Sequence, residues 1–319
     1  MKPDSLRGPR PIRPVTIVFA LAITLALFAL RSYAQNMTAN HLHPDLDPAS
    51  WPDSSLTISN LGHAAVLMNY FGTRLIADPS LFSRVGLSID SILTIGPKRF
   101  VDPPLAPDEL QQLDLILITH AHMDHLDIPS LKALPKSAVV VACENCSQII
   151  APLGFKDVRE LKWGESTLVK GLTIRAMGAR HWGRRWPPFG GDYGFNSYVL
   201  EKSGHRTLLA CDSAETDLFA AVATNPPEVA VFSIGAYDPW IYNHANPEQV
   251  WSMFQQTGAR YLVPIHWGTF RLGKEPMEEP MQRLIAAAGD QQDRIVLRKI
   301  GGTWTLPESS AARQTATGR

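Results

Sequence analysis

The chain has 319 residues, with 30 Lys+Arg against 30 Asp+Glu, a formal net charge of zero, and 45% hydrophobic and 19% charged residues. This is an ordinary globular balance, long enough for one large core or two small ones. With no basic field to meet phosphate backbones, a nucleic-acid partner is excluded as a working reading, a nuclease included.

In chain order, Lys2, Arg7, Arg10 and Arg13 precede an uncharged run, Val15 to Leu30, apolar but for two threonines. Ser32-Tyr33-Ala34 then places small residues before Gln35. The pattern predicts a secretory signal peptide over 1–34, cleaved after Ala34, or an uncleaved membrane anchor. Either way the remainder is expected outside the cytoplasm, periplasmic or anchored to the inner membrane. Residues 35–55 lack periodicity and read as a linker or a strap. Their His41 and His43 have no strand before them and no acidic partner at ligand spacing, so they read as solvated.

From Leu56, strands are predicted at Leu56–Ser59, Ala65–Tyr70 and Thr73–Ala77, the last two joined by a hairpin at Phe71-Gly72. Strands follow at Leu115–Ile118, Ala138–Ala142, Ser166–Met177, Asn196–Glu201, Arg206–Ala210, Val229–Ile234 and Tyr261–Ile265. Helices are predicted at Pro129–Leu134, Ser147–Leu153, Glu215–Thr224, Pro247–Thr257 (with Asn246 as N-cap) and Glu279–Ala288. Ile295–Leu306 is expected to close with a strand pair, and 307–319 to be a polar tail. Early strands followed by alternation suggest an α/β fold of two stacked sheets with helices outside, in a single domain over 56–306.

The chemistry concentrates where Leu115–Ile118 ends. His120, His122, Asp124 and His125 follow within a few residues. Strand ends are where α/β sheets place their chemistry, and imidazoles with a carboxylate are what zinc or iron selects. Alternation in a tight loop directs His120 and His122 to one centre, and Asp124 and His125 to a second. Three later strands end in further ligand types, at His181, Asp212 and His266. The total suffices for two metals with open positions.

These residues resemble the metallo-β-lactamase superfamily over nearly all of Leu56 to Leu306. The resemblance implies a four-layer αββα sandwich with a dinuclear site at one sheet edge. It would place His120, His122 and His181 on one metal, Asp124, His125 and His266 on the other, and Asp212 as the bridge. The family often has glycine before that Asp, where this chain has Cys211. Gly62-His63-Ala64, Asp78-Pro79, Gly96-Pro97-Lys98-Arg99-Phe100, Ile234-Gly235-Ala236-Tyr237, Asn246-Pro247-Glu248 and His266-Trp267-Gly268-Thr269-Phe270 further resemble the N-acyl-phosphatidylethanolamine-hydrolysing phospholipase D branch. That implies a phosphodiesterase using two divalent ions, zinc before iron or manganese, in which a metal-bridging hydroxide attacks phosphorus. Asp124 and Asp212 would be the catalytic carboxylates. The alternatives are a lactonase or other small-ester hydrolase and a non-catalytic, metal-dependent envelope binding protein. The partners implied are a phospholipid or small ester, a membrane surface and a second copy of the chain.

Four more residues are candidates. Asp78 is placed to orient a ligand imidazole, or simply to end its strand. His63 is expected at the pocket rim, and His244 and Tyr237 against substrate. The segment Ala179–Phe195, with Trp182, Arg184, Arg185 and Trp186, suits a lipid headgroup interface or a loop packed over the pocket. Cys143-Glu-Asn-Cys146 reads as a local disulfide or inert thiols rather than a redox centre.

Overall fold

A computed structural model describes residues 46–89, 93–185 and 190–308. The predicted leader, His41, His43, Trp186 and most of the tail lie outside them. Among the described residues no helix is long and apolar enough to cross a membrane.

The first sheet is built from β1 (Leu56–Asn60), β2 (Val66–Tyr70), β3 (Thr73–Ala77), β6 (Leu115–Ile118), β7 (Val139–Cys143), β8 (Asp157–Leu161) and β15 (Thr303–Thr305), in the order β15-β1-β2-β3-β6-β7-β8. β2 and β3 form the expected hairpin, whose turn residues Phe71 and Gly72 sit at φ 48° and 81°. Two left-handed residues are what a tight two-residue hairpin turn requires. β3, β6, β7 and β8 run parallel. The second sheet runs β14 (Tyr261–Ile265), β13 (Val229–Ser233), β12 (His205–Cys211), β11 (Ser197–Lys202), β10 (Leu172–Met177) and β9 (Ser166–Val169). A separate hairpin pairs β4 (Leu87–Ile89) with β5 (Leu93–Ile95).

Side-chain alternation sorts the apolar residues into three cores. Leu75, Leu115, Leu117 and Val141 of the first sheet meet Ile174, Tyr198, Leu209, Val231 and Val263 of the second. On the outer face of the first sheet, Ile76, Ile116, Ile118 and Val140 pack with Leu131 of α1 (Ile128–Ala133) and Ile149 of α2 (Ser147–Ile150). On the outer face of the second, Leu208, Phe232 and Leu262 pack with Phe254 of α3 (Pro247–Thr257) and Leu284 of α4 (Glu279–Ala288). The layers are therefore helix, sheet, sheet, helix, as expected. Tyr198 crosses the inner core to donate to the carbonyl of Ile118 at 2.9 Å, at the very end of β6.

Asn246 caps α3 through a reciprocal box with Gln249. Two expectations change. Glu215–Thr224 is a 3-10 helix confined to Leu218–Thr224, and only Thr303–Thr305 of the closing pair is a strand. Cys143 and Cys146 are free and buried, their sulfurs 2.9 Å apart.

Candidate metal centre

Each predicted ligand follows a strand. His120, His122, Asp124 and His125 leave β6 of the first sheet. His181 follows β10, Asp212 follows β12 and His266 follows β14, all of the second. The site therefore closes the gap between the two sheets at one edge.

The loop after β6 is wound tightly before α1, with the amides of His125 and Leu126 both donating to the carbonyl of His122, at 3.1 and 2.8 Å. Asp127 caps α1 through Ser130. Asp78, at the end of neighbouring β3, accepts from the Thr119 amide (2.8 Å) and hydroxyl (2.6 Å). It also lies 2.8 Å from His125 Nδ1. A proton on that nitrogen leaves His125 Nε2 as the ligand atom. His181 Nδ1, 3.0 Å from the carbonyl of Asn243, likewise frees its Nε2.

The free atoms converge in two groups. His120 Nε2 and His181 Nε2 lie 2.8 and 3.3 Å from His122 Nδ1. His125 Nε2 and His266 Nε2 lie 3.5 and 3.3 Å from Asp124 Oδ2. Asp212 Oδ2 lies between, 2.9 and 3.3 Å from His125 and His266, and 3.8 and 4.0 Å from His120 and His181. The hydroxyl of Ser233 holds its other oxygen.

The atoms at this centre fit a cation. His125 Nε2, His266 Nε2 and Asp212 Oδ2 are buried with no well-directed hydrogen bond; they meet one another as ion pairs of 2.9 and 3.3 Å. Burial lowers His120 and His181, and His122 to about 3, so these imidazoles are neutral with a lone pair to give. Burial also opposes charge on His125 and His266, but Asp212 and Asp124 overcome it, lifting His125 well above its usual value and His266 to about 9. Burial would raise both carboxyls, yet His125 and His266 hold them well below the usual range. Two protons thus stand where positive charge is needed.

The backbone is strained around this centre. His63, Asp78, Cys211 and His266 all have left-handed φ, between 43° and 63°, at about 1–2 kcal/mol per non-glycine residue. Strain concentrated in this way is a feature of functional sites. Cys211 occupies a position that glycine would fill without strain, and its thiol points to Asp78 and Thr119 at 3.1 and 2.8 Å.

The other candidates separate. Asp78 orients His125. His244 faces the cavity, with Nδ1 3.9 Å from Asp212 Oδ2. His63 is not at the rim: it is buried within the cluster, with Nε2 2.7 Å from Asp124 Oδ2 and its ring among the donors of Asp124, His125 and His266. Tyr237 does not reach the cavity, because its hydroxyl donates to Glu279 at 2.8 Å and its ring lies under Arg283. Of the Ala179–Phe195 segment, Arg185 is buried rather than presented to a headgroup: it donates from Nη1 to the carbonyls of Ala121 and Leu126, at 2.7 and 2.8 Å, which bracket His122 to His125.

Above the cluster is a cavity of about 310 Å³. Its wall includes Met123, Trp182, Trp240 and Leu272, with the exposed Arg184 among them.

A family model described as the beta-lactamase superfamily domain matches residues 73–267, which include the whole converging set. The chain belongs to the metallo-β-lactamase superfamily. It is 31% identical over 252 residues to an uncharacterised protein of Mycobacterium tuberculosis, covering 74% of this chain and 64% of that one. The chain thus spans under two thirds of that relative's length. It is 28% identical over 293 residues to N-acyl-phosphatidylethanolamine-hydrolyzing phospholipase D 1 of Caenorhabditis elegans, covering 84% of this chain and 79% of the other. A solved structure of a possible metal-dependent hydrolase from Veillonella parvula superposes with a TM-score of 0.63 at 20% identity, covering 79% of this chain and all of that one. That likeness establishes the superfamily fold.

Proposed function

We propose that this chain is a metal-dependent hydrolase that cleaves the phosphodiester of N-acyl-phosphatidylethanolamine-type phospholipids with phospholipase D regiochemistry. The observation that carries the reading is the layering of the cavity: a converging imidazole–carboxylate floor under an apolar wall that also holds two arginines, the exposed Arg184 and the buried Arg185. A phosphodiester flanked by acyl chains presents the complementary layers. The named nematode relative supports the same substrate class.

His120, His122 and His181 would hold one divalent ion and Asp124, His125 and His266 another, with Asp212 shared. Zinc suits this donor set, and iron or manganese is compatible. When bound, such ions polarise phosphoryl oxygens and bring the pKa of water toward neutrality. The chain's own residues do the rest. Asp78 and the Asn243 carbonyl fix which nitrogens face the centre. Arg184 offsets phosphate charge at the mouth. His244, which burial lowers to about 3, stays neutral and presents an unpartnered ring nitrogen to a polar group of the substrate. Met123, Trp182, Trp240 and Leu272 exclude water and receive apolar chain. The leader proposed for 1–34 would place this activity outside the cytoplasm, at a membrane surface.

The test is hydrolysis of a mixed phospholipid extract by the zinc-loaded protein, followed by mass spectrometry, with Asp212→Asn as control. Phosphatidic acid and N-acylethanolamine are expected from the native chain alone. A second reading, hydrolysis of a lactone or other small ester, is favoured by the cavity volume, which is near the lower end for small-molecule sites. A protein that takes up two metals yet turns over no lipid would select it.

A further inference from the structure

The Gly96-Pro97-Lys98-Arg99-Phe100 stretch supports a surface that the cavity does not use. In the β4–β5 hairpin, Leu87 pairs with Ile95 and Ile89 with Leu93. Strand alternation puts these four on one face and Ser88 and Thr94 on the other. Ile89, Leu93 and Ile95 are 50%, 47% and 57% exposed, and Phe100, just beyond, is 62% exposed. A contiguous apolar face left in water marks a surface that meets something apolar.

The stem is built to hold that face out. Gly86 and Gly96 pass so closely that a Cβ on either would strike the other strand's backbone, at the Ile95 or Val85 carbonyl. Arg84 donates to the Gly96 carbonyl at 2.7 Å. Buried Arg99 donates to the carbonyls of Ser80 (2.6 Å), Leu61 (2.8 Å) and Val101 (3.0 Å), which fixes the backbone beside Phe100. The Phe100 amide donates to Thr269 at 2.9 Å.

Charge identifies the occupant. Arg84, Lys98 and Arg271 are exposed around this face, and among the described residues none makes an ion pair. Among the described residues Asp102 is the nearest exposed carboxylate in sequence, and Asp90 is the other carboxylate of this stretch, so three cations stand against two carboxylates. The Arg271 guanidinium lies 5.8 Å from the centre of the Phe100 ring, and the next residue, Leu272, lines the cavity. A second copy packed about a two-fold axis would bring the same cations together, whereas anionic headgroups neutralise them.

We propose that Leu87, Ile89, Leu93, Ile95 and Phe100, with Arg84, Lys98 and Arg271, form the surface by which the protein seats on an anionic lipid bilayer. The apolar side chains enter the headgroup–acyl boundary, and the cations meet phosphates. The inference rests on and deepens the phospholipid reading, since it delivers the cavity mouth to its substrate.

The test is hydrogen exchange on the full metal-loaded chain with phosphatidylcholine vesicles, with or without phosphatidylglycerol. Slower exchange across β4 and β5 with the anionic vesicles is expected. The triple variant Ile89→Asp, Leu93→Asp, Ile95→Asp should lose that protection. It should also turn over N-acyl-phospholipid in anionic vesicles roughly ten-fold more slowly or worse, with unchanged turnover of a short-chain, monomeric analogue. Exchange across β4 and β5 that bound vesicles leave unaltered overturns the proposal. So does protection that grows with protein concentration in the absence of lipid, which assigns the face to a second copy. Because exchange is read without turnover, a protein protected by vesicles but inert on both lipids would retire the substrate reading and keep the surface.

Discussion

His63 Nε2 lies 2.7 Å from Asp124 Oδ2, the same oxygen that faces His125 and His266. Burial lowers His63 to about 3, so the ring is neutral and the shared proton sits on His63 as donor. His63 is itself clamped, its amide donating to Thr269 Oγ1 and its carbonyl accepting from the His266 amide, both at 2.7 Å. His63→Leu leaves Asp124 free to rotate. Metal affinity is expected to fall about 10–100-fold, measured by competition with a chelator. Unchanged affinity would reduce His63 to a packing residue.

Asp78→Ala removes one carboxylate that meets four groups: the Thr119 amide, the Thr119 hydroxyl, His125 Nδ1 and the Cys211 thiol. Buried donors left unpaired cost about 1–3 kcal/mol each, so urea unfolding of the metal-free protein should show a loss of about 3 kcal/mol or more. Asp78→Asn, which still offers one oxygen, should fall between.

Arg185→Met should cost about 2–3 kcal/mol, because the Ala121 and Leu126 carbonyls lose a charged donor in the interior. Those carbonyls bracket His122 to His125, so metal uptake should weaken as well. A cobalt-substituted protein whose visible spectrum is indifferent to the change would sink the positioning role.

Metal uptake should release protons. In the metal-free protein His266 is raised to about 9 from 6.5, so its stabilising contribution is complete below pH 6.5 and lost as pH rises through 9. The metal-free chain should therefore lose stability over that window. Apparent metal affinity should rise through the same window, as the competing proton leaves. Titration calorimetry at pH 7 in buffers of different ionisation enthalpy reads the release directly, and an identical heat in every buffer would contradict it.

The run His120, His122, Asp124 and His125 was legible because it is local, a cluster of ligand types at one strand end; His181, Asp212 and His266 each end a strand singly, and the superfamily resemblance sorted them with the rest. β3, β6, α3 and α4 were legible for the same local reason, their apolar patterning, and the Asn246 cap of α3, being short-range. What escaped depends on distant partners. His63 is buried by Thr269 and His266, about two hundred residues away. Tyr237 is turned from the cavity by Glu279. β8, Asp157–Leu161, carries three charges and pairs as an edge strand, so alternation hid it. Residues 215–224 have helical composition, but only a 3-10 stretch without a side-chain cap forms there. Cys211 was visible as a missing glycine, and its left-handed φ explains what that position demands.

The donors of His120, His122, Asp124 and His125 hang from one sheet, and those of His181, Asp212 and His266 from the other. A bound pair of metal ions would therefore work as a rivet between two plates that also meet through apolar packing and polar bonds such as Asn60 to the Pro264 carbonyl and Lys202 to Thr73. Each ion would stabilise the closed sandwich in proportion to the logarithm of its concentration over its dissociation constant. Scarcity of metal would then act first as a loss of mechanical closure at this edge, and the chain's resistance to unfolding would become a readout of the metal supply around it.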